Sequence, residues 1–260
     1  MGYRSEKNTG PRDILQSRAI VKNVSYALLP PEGLVKNTVP GFENCDMSIL
    51  ASPKLGATFV DYIVTMLPGG KNEGGFGGDG VETFVFVIDG DVAVTAGEDA
   101  RTLTKGGYLY CPPDRQMTLK NLRDGESELF LYKRRYRPIG GALPRMVCGN
   151  VEELEPTKLD GMDTVWMYDL LPKSIEYDMC FHILSFAPGA SHGYIETHVQ
   201  EHGALILSGE GVYRLDSEWV PVKKGDYIFM GAYAMQAGYA AGTERFSYVY
   251  SKDQNRDEEI

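Results

Sequence analysis

The chain has 260 residues, 43% of them hydrophobic, enough to bury a substantial core in one large domain or two of ordinary size, so disorder is excluded. A formal charge of -10 and a pI near 5.0 argue against nucleic acid or an anionic membrane surface as partner, and the one basic run, KRRY at 133–136, is short enough to read as a strand end. No apolar stretch approaches the roughly 18 to 20 residues that span a bilayer, and the polar start MGYRSEKNTG lacks the apolar centre of a secretory signal, so a cytoplasmic protein is expected. Gly2 does not open a myristoylation pattern, because Glu6 stands where Ser or Thr is required.

In chain order, residues 1–56, with PPEG and TVPGFENC, read as an extended arm with a few strands, suited to packing on a neighbouring subunit of a homo-oligomer. Residues 57–136 carry short Val, Ile, Phe, Tyr and Leu runs (TFVFVIDGDVAV, GGYLYCPP, ELFLYKRRY) broken by Gly, Pro and Asp, the punctuation of an all-β sandwich or barrel. VIDGDV predicts a hairpin about a two-residue Asp89-Gly90 turn. Residues 137–175, with early Gly and Pro and later Asp-Gly turns, read as a connection. From 176 to 260 the strand pattern returns in FHILSFAPG, GALILSGEGVYRL, GDYIFMG and FSYVYS, and LSGEGV predicts a second hairpin turn. Cys45, Cys111, Cys148 and Cys180 lie far apart with no CxxC pair, which fits reduced structural thiols.

The two strand-rich stretches are one pattern repeated. Pairing Glu82 with Glu201 sets an offset of 119 residues (201 less 82), and the same offset matches Gly90 with Gly209, Lys105 with Lys224, Gly106 with Gly225 and Tyr108 with Tyr227. After a one-residue shift, LPGG at 67–70 meets APGA at 187–190.

Three of the four histidines fall within HGYIETHVQEHG, 192–203. In an extended segment Glu196, His198 and His202 share a face by parity, so one strand delivers a carboxylate and two imidazoles to a cation, with a further donor needed from elsewhere. Here the sequence resembles the cupin superfamily, whose motifs are G-x5-H-x-H-x3,4-E-x6-G and G-x5-P-x-G-x2-H. Glu196, His198 and His202 take the three ligand positions of the first, and Gly209 closes it. Its leading Gly is one residue out of register, at Gly189. In the second, Gly225 opens the pattern, Gly231 replaces Pro, Tyr233 replaces Gly, and Gln236 stands at the last His. The resemblance implies two tandem cupin β-barrels of jelly-roll type, a bicupin. Subtracting 119 from the four donors gives Gly77, Asp79, Thr83 and Met117, which cannot hold a metal, so a site is expected in the second barrel alone. His182 and His192 read as structural, and Glu201 as a supporting or solvated carboxylate.

The donor set, together with PGFENC, GFGGDGVETF, GGYLYCPP, SFAPGASHGYIETHVQEHGA and VKKGDYIFMGAY, resembles the (S)-ureidoglycine aminohydrolase family over nearly the whole chain. The resemblance implies an enzyme of allantoin (purine) degradation that binds one Mn2+ per chain in its C-terminal cupin and converts a small molecule, (S)-ureidoglycine, to (S)-ureidoglycolate and ammonia. Glu196, His198, His202 and Gln236 would be its ligands. Tyr213, Tyr248 and Lys252 match substrate-contacting positions, with Glu196 also touching substrate and, with Lys252, acting in catalysis. Tyr248 and Lys252 share strand parity, and a lysine turned into a barrel implies an anion to meet it. The metal is expected to act as template and Lewis acid, with ammonia leaving by direct attack of water or through an imine. Two other readings stay open: a dioxygenase or decarboxylase on a small carboxylic acid, and a non-enzymatic bicupin that binds small molecules.

Overall fold

The structure is a computed structural model that describes residues 17–252. The first sixteen residues of the arm, Gly2 and Glu6 among them, and residues 253–260 of the C-terminal barrel lie outside the described residues. Among those described, every helix is a three-residue 3-10 turn and the architecture is all-β. The chain divides into two compact units, which share the arm between them: residues 34–52 and 58–153 form the first, and 17–33, 53–57 and 154–252 the second.

Two short strands open the described chain, β1 (Ile20–Lys22) and β2 (Tyr26–Leu29). The first unit then contributes β3 (Glu43–Ile49), β4 (Phe59–Gly77), β5 (Val81–Asp89), β6 (Asp91–Ala96), β7 (Asp99–Thr104), β8 (Gly107–Cys111), β9 (Gln116–Asn121), β10 (Ser127–Arg135) and β11 (Val147–Asn150). They form one nine-stranded sheet in the order β11-β8-β5-β10-β4-β9-β6-β7, with β3 beside β4. β6 alternates half-buried and buried residues, as a strand with one face on a core should, whereas β8 is buried throughout. The barrel is filled by apolar side chains including Met47, Tyr62, Val64, Phe76, Val94, Met117, Leu129 and Leu131.

The second unit contributes β12 (Thr157–Lys158), β13 (Val165–Asp169), β14 (Cys180–Phe186), β15 (His202–Ser208), β16 (Glu210–Leu215), β17 (Glu218–Lys223), β18 (Tyr227–Met230), β19 (Gln236–Ala241) and β20 (Phe246–Lys252). Here there are two sheets, β1-β2-β18-β15-β20-β14-β13-β12 and β17-β16-β19. The repeat is structural: at an offset of 119, β6 and β7 superpose in number on β16 and β17 end for end. The bond from Gly106 N–H to Val87 O, 2.9 Å, recurs as Gly225 N–H to Ile206 O, 2.9 Å.

Two departures from the sequence reading matter. Neither VIDGDV nor LSGEGV is a hairpin, because β5 pairs with β8 and β10 while β6 pairs with β7 and β9, and β15 and β16 likewise have separate partners. The chain turns a corner at Gly90 (φ 127) and Gly209 (φ 70). At Gly209 a Cβ would stand 2.5 Å from Arg245 O, so the glycine is required by the corner and its neighbour across it. Two-residue turns between paired strands lie instead at Gly97-Glu98 and Asp216-Ser217, and Asp79-Gly80 turns between the bridged Gly78 and Val81. Second, β4 runs 19 residues and pairs onward with β9, making the first sheet continuous, whereas its counterpart β14 stops after 7 residues at Phe186. Beyond Phe186, residues 187–201 form no strand, and their ladder with β19 is reduced to isolated bridges, Ser191 with Tyr239 and Glu196 with Gln236.

The N-terminal hairpin covers the edge strand β18 of the second unit, pairing Tyr26 with Met230 and Leu29 with Tyr227. Arg18 clamps it by a two-pronged ion pair to the fully buried Asp226, at 2.7 and 2.9 Å. Gly231 N–H donates to Ser25 O at 2.7 Å, and a Cβ on Gly231 would lie 1.9 Å from Val24 O. Gly231→Ala therefore displaces the hairpin, and we expect it to lower the unfolding free energy by about 2–4 kcal/mol in urea titration. Gly74→Ala, where a Cβ meets nothing within 4 Å, should stay within about 0.5 kcal/mol of the parent.

Candidate metal and substrate site

Residues directly opposite one another in an antiparallel sheet share a face, so register alone aligns a row Asp169, His182, Tyr250, Ala204 across β13, β14, β20 and β15. Cys180 faces Lys252 in the next row, and Tyr248 lies beside Leu184 and Ile206. Tyr248, Tyr250 and Lys252 all reach the same cavity, as their shared parity requires. That cavity, of about 440 Å3, is lined by all seven residues nominated from sequence: Glu196, His198, His202, Gln236, Tyr213, Tyr248 and Lys252. His182, His192, Tyr194 and Tyr250 line it too. Tyr250 was legible from parity, two residues from Tyr248, and sequence reasoning passed over it.

The donors do not come from one strand as their parity suggested. Of the three, His202 alone sits on a strand, at the start of β15, while Glu196 and His198 lie in the irregular 187–201 segment; Gln236 opens β19. This segment is held by backbone bonds: Glu196 N–H to Gln236 O (3.0 Å), Gln236 N–H to Glu196 O (2.9 Å) and Tyr233 N–H to His198 O (2.7 Å). Thr197 Oγ1 donates to Tyr233 O at 2.8 Å. Tyr233, at φ 63, adopts the left-handed conformation at the place where the cupin pattern has glycine.

The backbone also fixes which imidazole nitrogens are available. Nδ1 of His202 lies 2.8 Å from Ser251 O and Nδ1 of His198 lies 3.1 Å from Gln200 O, so each Nδ1–H donates and each Nε2 is left with a lone pair. The two Nε2 atoms face each other at 3.2 Å, and Gln236 Nε2 is 3.0 Å from that of His198. Burial holds both imidazoles below their ordinary pKa, His202 well below, so neither is protonated near pH 7. Two nitrogens each about 2.1 Å from one cation are roughly 3.0 Å apart at a right angle and about 3.4 Å at the tetrahedral angle, so this pair fits a shared metal ion. Gln236 presents its Nε2 here, and ligation through Oε1 requires the amide turned by 180°, which exchanges two atoms of nearly equal size.

Glu196 is rooted beside Gln236 by their paired backbones, but the structure does not gather its carboxylate with the imidazoles. Among the described residues no group of three or more His, Cys, Asp or Glu is close enough to hold a metal ion. Burial pushes the Glu196 pKa up, against the nearby Lys252 charge that lowers it. Tyr213 and Tyr248 hydroxyls lie 3.3 Å apart, and burial raises both phenols, so they stay protonated and able to donate. Among the described residues no hydrogen bond or ion pair occupies the Lys252 ammonium, which suits it to meet an anion. His192 is a wall residue: its Nδ1 accepts Gly238 N–H at 2.7 Å and its ring stands edge-on to Phe186, 5.0 Å between centroids. Cys45, Cys111 and Cys180 are buried as expected, and Cys148 is exposed.

In the first barrel three of the corresponding positions are apolar core, while Asp79, at the position of His198, is exposed. Met117 replaces Gln236, Val94 replaces Tyr213, and Leu129 replaces Tyr248, all fully buried. Lys133, at the position of Lys252, covers this core with its ammonium 5.7 and 5.6 Å from the ring centroids of Tyr62 and Phe76.

Comparison with known proteins finds a cupin domain in each half of the chain. A cupin domain family model matches residues 182–250, and the EutQ-like cupin domain model matches residues 57–123. The chain is 60% identical to the (S)-ureidoglycine aminohydrolase of Escherichia coli (strain K12), covering 100% of both chains. It is 31% identical to that of Arabidopsis thaliana, covering 93% of this chain and 79% of the relative. The crystal structure of protein Ylba from E. coli superposes with a TM-score of 0.86 at 57% identity over 100% of each chain.

Burial pushes the His192 pKa down to about 4, from an ordinary value near 6.5. On acidification the unfolded chain takes up this proton first, so the stability is intact above about pH 6.5 and lost as pH falls toward 4. We expect the unfolding free energy from urea titration to fall between about pH 7.5 and about pH 5 by about 2 kcal/mol more for the parent than for His192→Gln, which keeps an acceptor oxygen and cannot titrate.

Proposed function

The chain belongs to the (S)-ureidoglycine aminohydrolase family, a hydrolase family built on two cupin barrels, and from that membership we propose how its second barrel carries the reaction. The reaction replaces the amino nitrogen of (S)-ureidoglycine by a water oxygen. One C–N bond breaks and one C–O bond forms, while one water proton leaves with the nitrogen as ammonia. The observation that carries this reading is the convergence of seven residues of suitable chemistry on one cavity of the second unit.

We assign a single cation site to His198, His202 and Gln236, with Glu196, on the same cavity, as carboxylate donor once its side chain turns to the imidazoles, and with Mn2+ as occupant, a choice supported by the mixed nitrogen and oxygen donor set. A bound divalent cation supplies Lewis acidity and a fixed point from which a 2-amino acid is oriented. The remaining work falls to the chain. Lys252 brings a positive charge to the substrate carboxylate, and the Tyr213 and Tyr248 hydroxyls donate to the ureido oxygen. Contacts at carboxylate, ureido group and amine distinguish the two hands of the single stereocentre, which accounts for selection of the S form. The buried tyrosine wall around them excludes bulk water from all but the reacting position. The setting of this activity is read as allantoin breakdown in the cytoplasm by a homo-oligomer. No helix of the described chain is long and apolar enough to cross a membrane.

Freshly generated ureidoglycine, assayed against a no-enzyme control, should yield ammonia and (S)-ureidoglycolate in equal amounts under anaerobic conditions. Treatment with a chelator should abolish release, and Mn2+ should restore it; activity that survives complete metal removal would reject the cation site. Lys252→Met should lower kcat/KM by about 10–100-fold, the loss of one charge-assisted contact, while Mn content stays normal.

A further inference from the structure

His182 is a cavity residue to which the metal and substrate contacts give no task. It lies on β14 opposite Tyr250, is 5% exposed, and lines the cavity. Its Nδ1 is 2.9 Å from Asp169 Oδ1, while the other oxygen of Asp169 is 2.9 Å from Lys173 Nζ. Burial would raise the Asp169 pKa, but hydrogen bonds to His182 and Lys173 outweigh it, and the carboxyl is held below its ordinary range. Asp169 is therefore an anion that accepts Nδ1–H, which leaves Nε2 of His182 as the nitrogen with a lone pair. Among the described residues no hydrogen bond reaches that Nε2. A buried imidazole locked by a carboxylate, with its other nitrogen on a cavity, is the arrangement that moves protons in hydrolases of many folds.

Resting on the aminohydrolase reading, we propose that His182 is the proton carrier of the reaction and Asp169 its positioning residue. At the saturated carbon the C–O bond forms as the C–N bond breaks: the amino group, held as its ammonium, leaves as ammonia, Nε2 takes the proton that the attacking water loses, and Asp169 stabilises the imidazolium. The imidazolium then passes that proton to the released ammonia, which departs as ammonium, and His182 returns neutral. No other reactant is needed. The charged and titratable groups facing His182 are Asp169 and Lys173 from β13 and the turn after it, Tyr250 and Lys252 from β20, and His202 from β15.

The test measures kcat, KM, Mn content and melting temperature for the parent, His182→Asn, Asp169→Asn and Asp169→Glu across pH. His182→Asn should lower kcat about 100-fold or more, with KM within about threefold and Mn content unchanged. Asp169→Asn should lower kcat by a similar factor and, having lost the charge that favours imidazolium, move the acid limb of the kcat profile to lower pH; Asp169→Glu should recover part of both. If His182→Asn folds poorly, Asp169→Asn, at a side chain still 26% exposed, carries the test alone. Parent-like kcat and an unmoved acid limb in a folded Asp169→Asn or His182→Asn, beside an active parent, would overturn the proton-carrier role alone. An inactive parent would overturn the aminohydrolase reading and this role with it.

Discussion

Everything distinctive in the second unit depends on where β14 stops. In the first unit β4 runs on for 19 residues and pairs with β9, so one sheet wraps the barrel and apolar side chains fill it. In the second, β14 ends at Phe186 and the chain meets β19 at two isolated bridges. A continuous strand would spend the backbone of residues 187–201 on ladder bonds and alternate its side chains between faces. An irregular segment anchored at Glu196 and His198 is released from that alternation, and it brings His198 Nε2 to 3.2 Å from His202 Nε2. Two copies of one pattern therefore yield a barrel filled by apolar side chains and a barrel with a polar cavity.

The cavity's chemistry follows from what holds its polar groups. Ser251 O and Gln200 O take the Nδ1 protons of His202 and His198, and Asp169 takes that of His182. All three imidazoles thus turn a lone pair inward, two of them toward each other at 3.2 Å. Low dielectric strengthens each of these bonds and also makes protonation costly, so the wall is a set of neutral donors at neutral pH. Lys252 and the paired tyrosines supply the opposite polarity, positive charge and hydroxyl hydrogens. The two sets suit a zwitterion-like substrate that must be gripped at its carboxylate while a proton is moved elsewhere on it.

Stability of this wall is borrowed from the N-terminal segment. β2 completes the sheet beside β18, whose Met230 lines the cavity, and Arg18 neutralises Asp226, a carboxylate with no exposure. A charge buried that completely requires its partner, so the Arg18 clamp and the glycine-only contact at Gly231 keep the sheet edge covered.

The all-β class, the repeat and its offset were legible in one dimension, because strand composition and glycine spacing are local properties of the chain; Glu196, His198 and His202 stood out by parity, whereas Gln236, Tyr213, Tyr248 and Lys252 were legible only through the resemblance to family motifs. Given Tyr248, Tyr250 was legible by parity. Other features were not. Asp89-Gly90 looks like a hairpin turn, yet whether strands on either side of a turn pair or part is decided by which other strands compete for their edges, here β8 and β10 against β7 and β9. Parity placed Glu196, His198 and His202 on one strand, and only the lost ladder beyond Phe186 reveals that two of them sit in a loop, with the Glu196 carboxylate apart from the imidazoles. The Asp169 partner of His182 lies 13 residues away on another strand, and no spacing rule joins them. Sequence by itself determined which chemical groups the second barrel possesses; tertiary structure alone decided which of their atoms face one another, because a hydrogen bond to a distant carbonyl or carboxylate sets the tautomer, and its partner is chosen by sheet register.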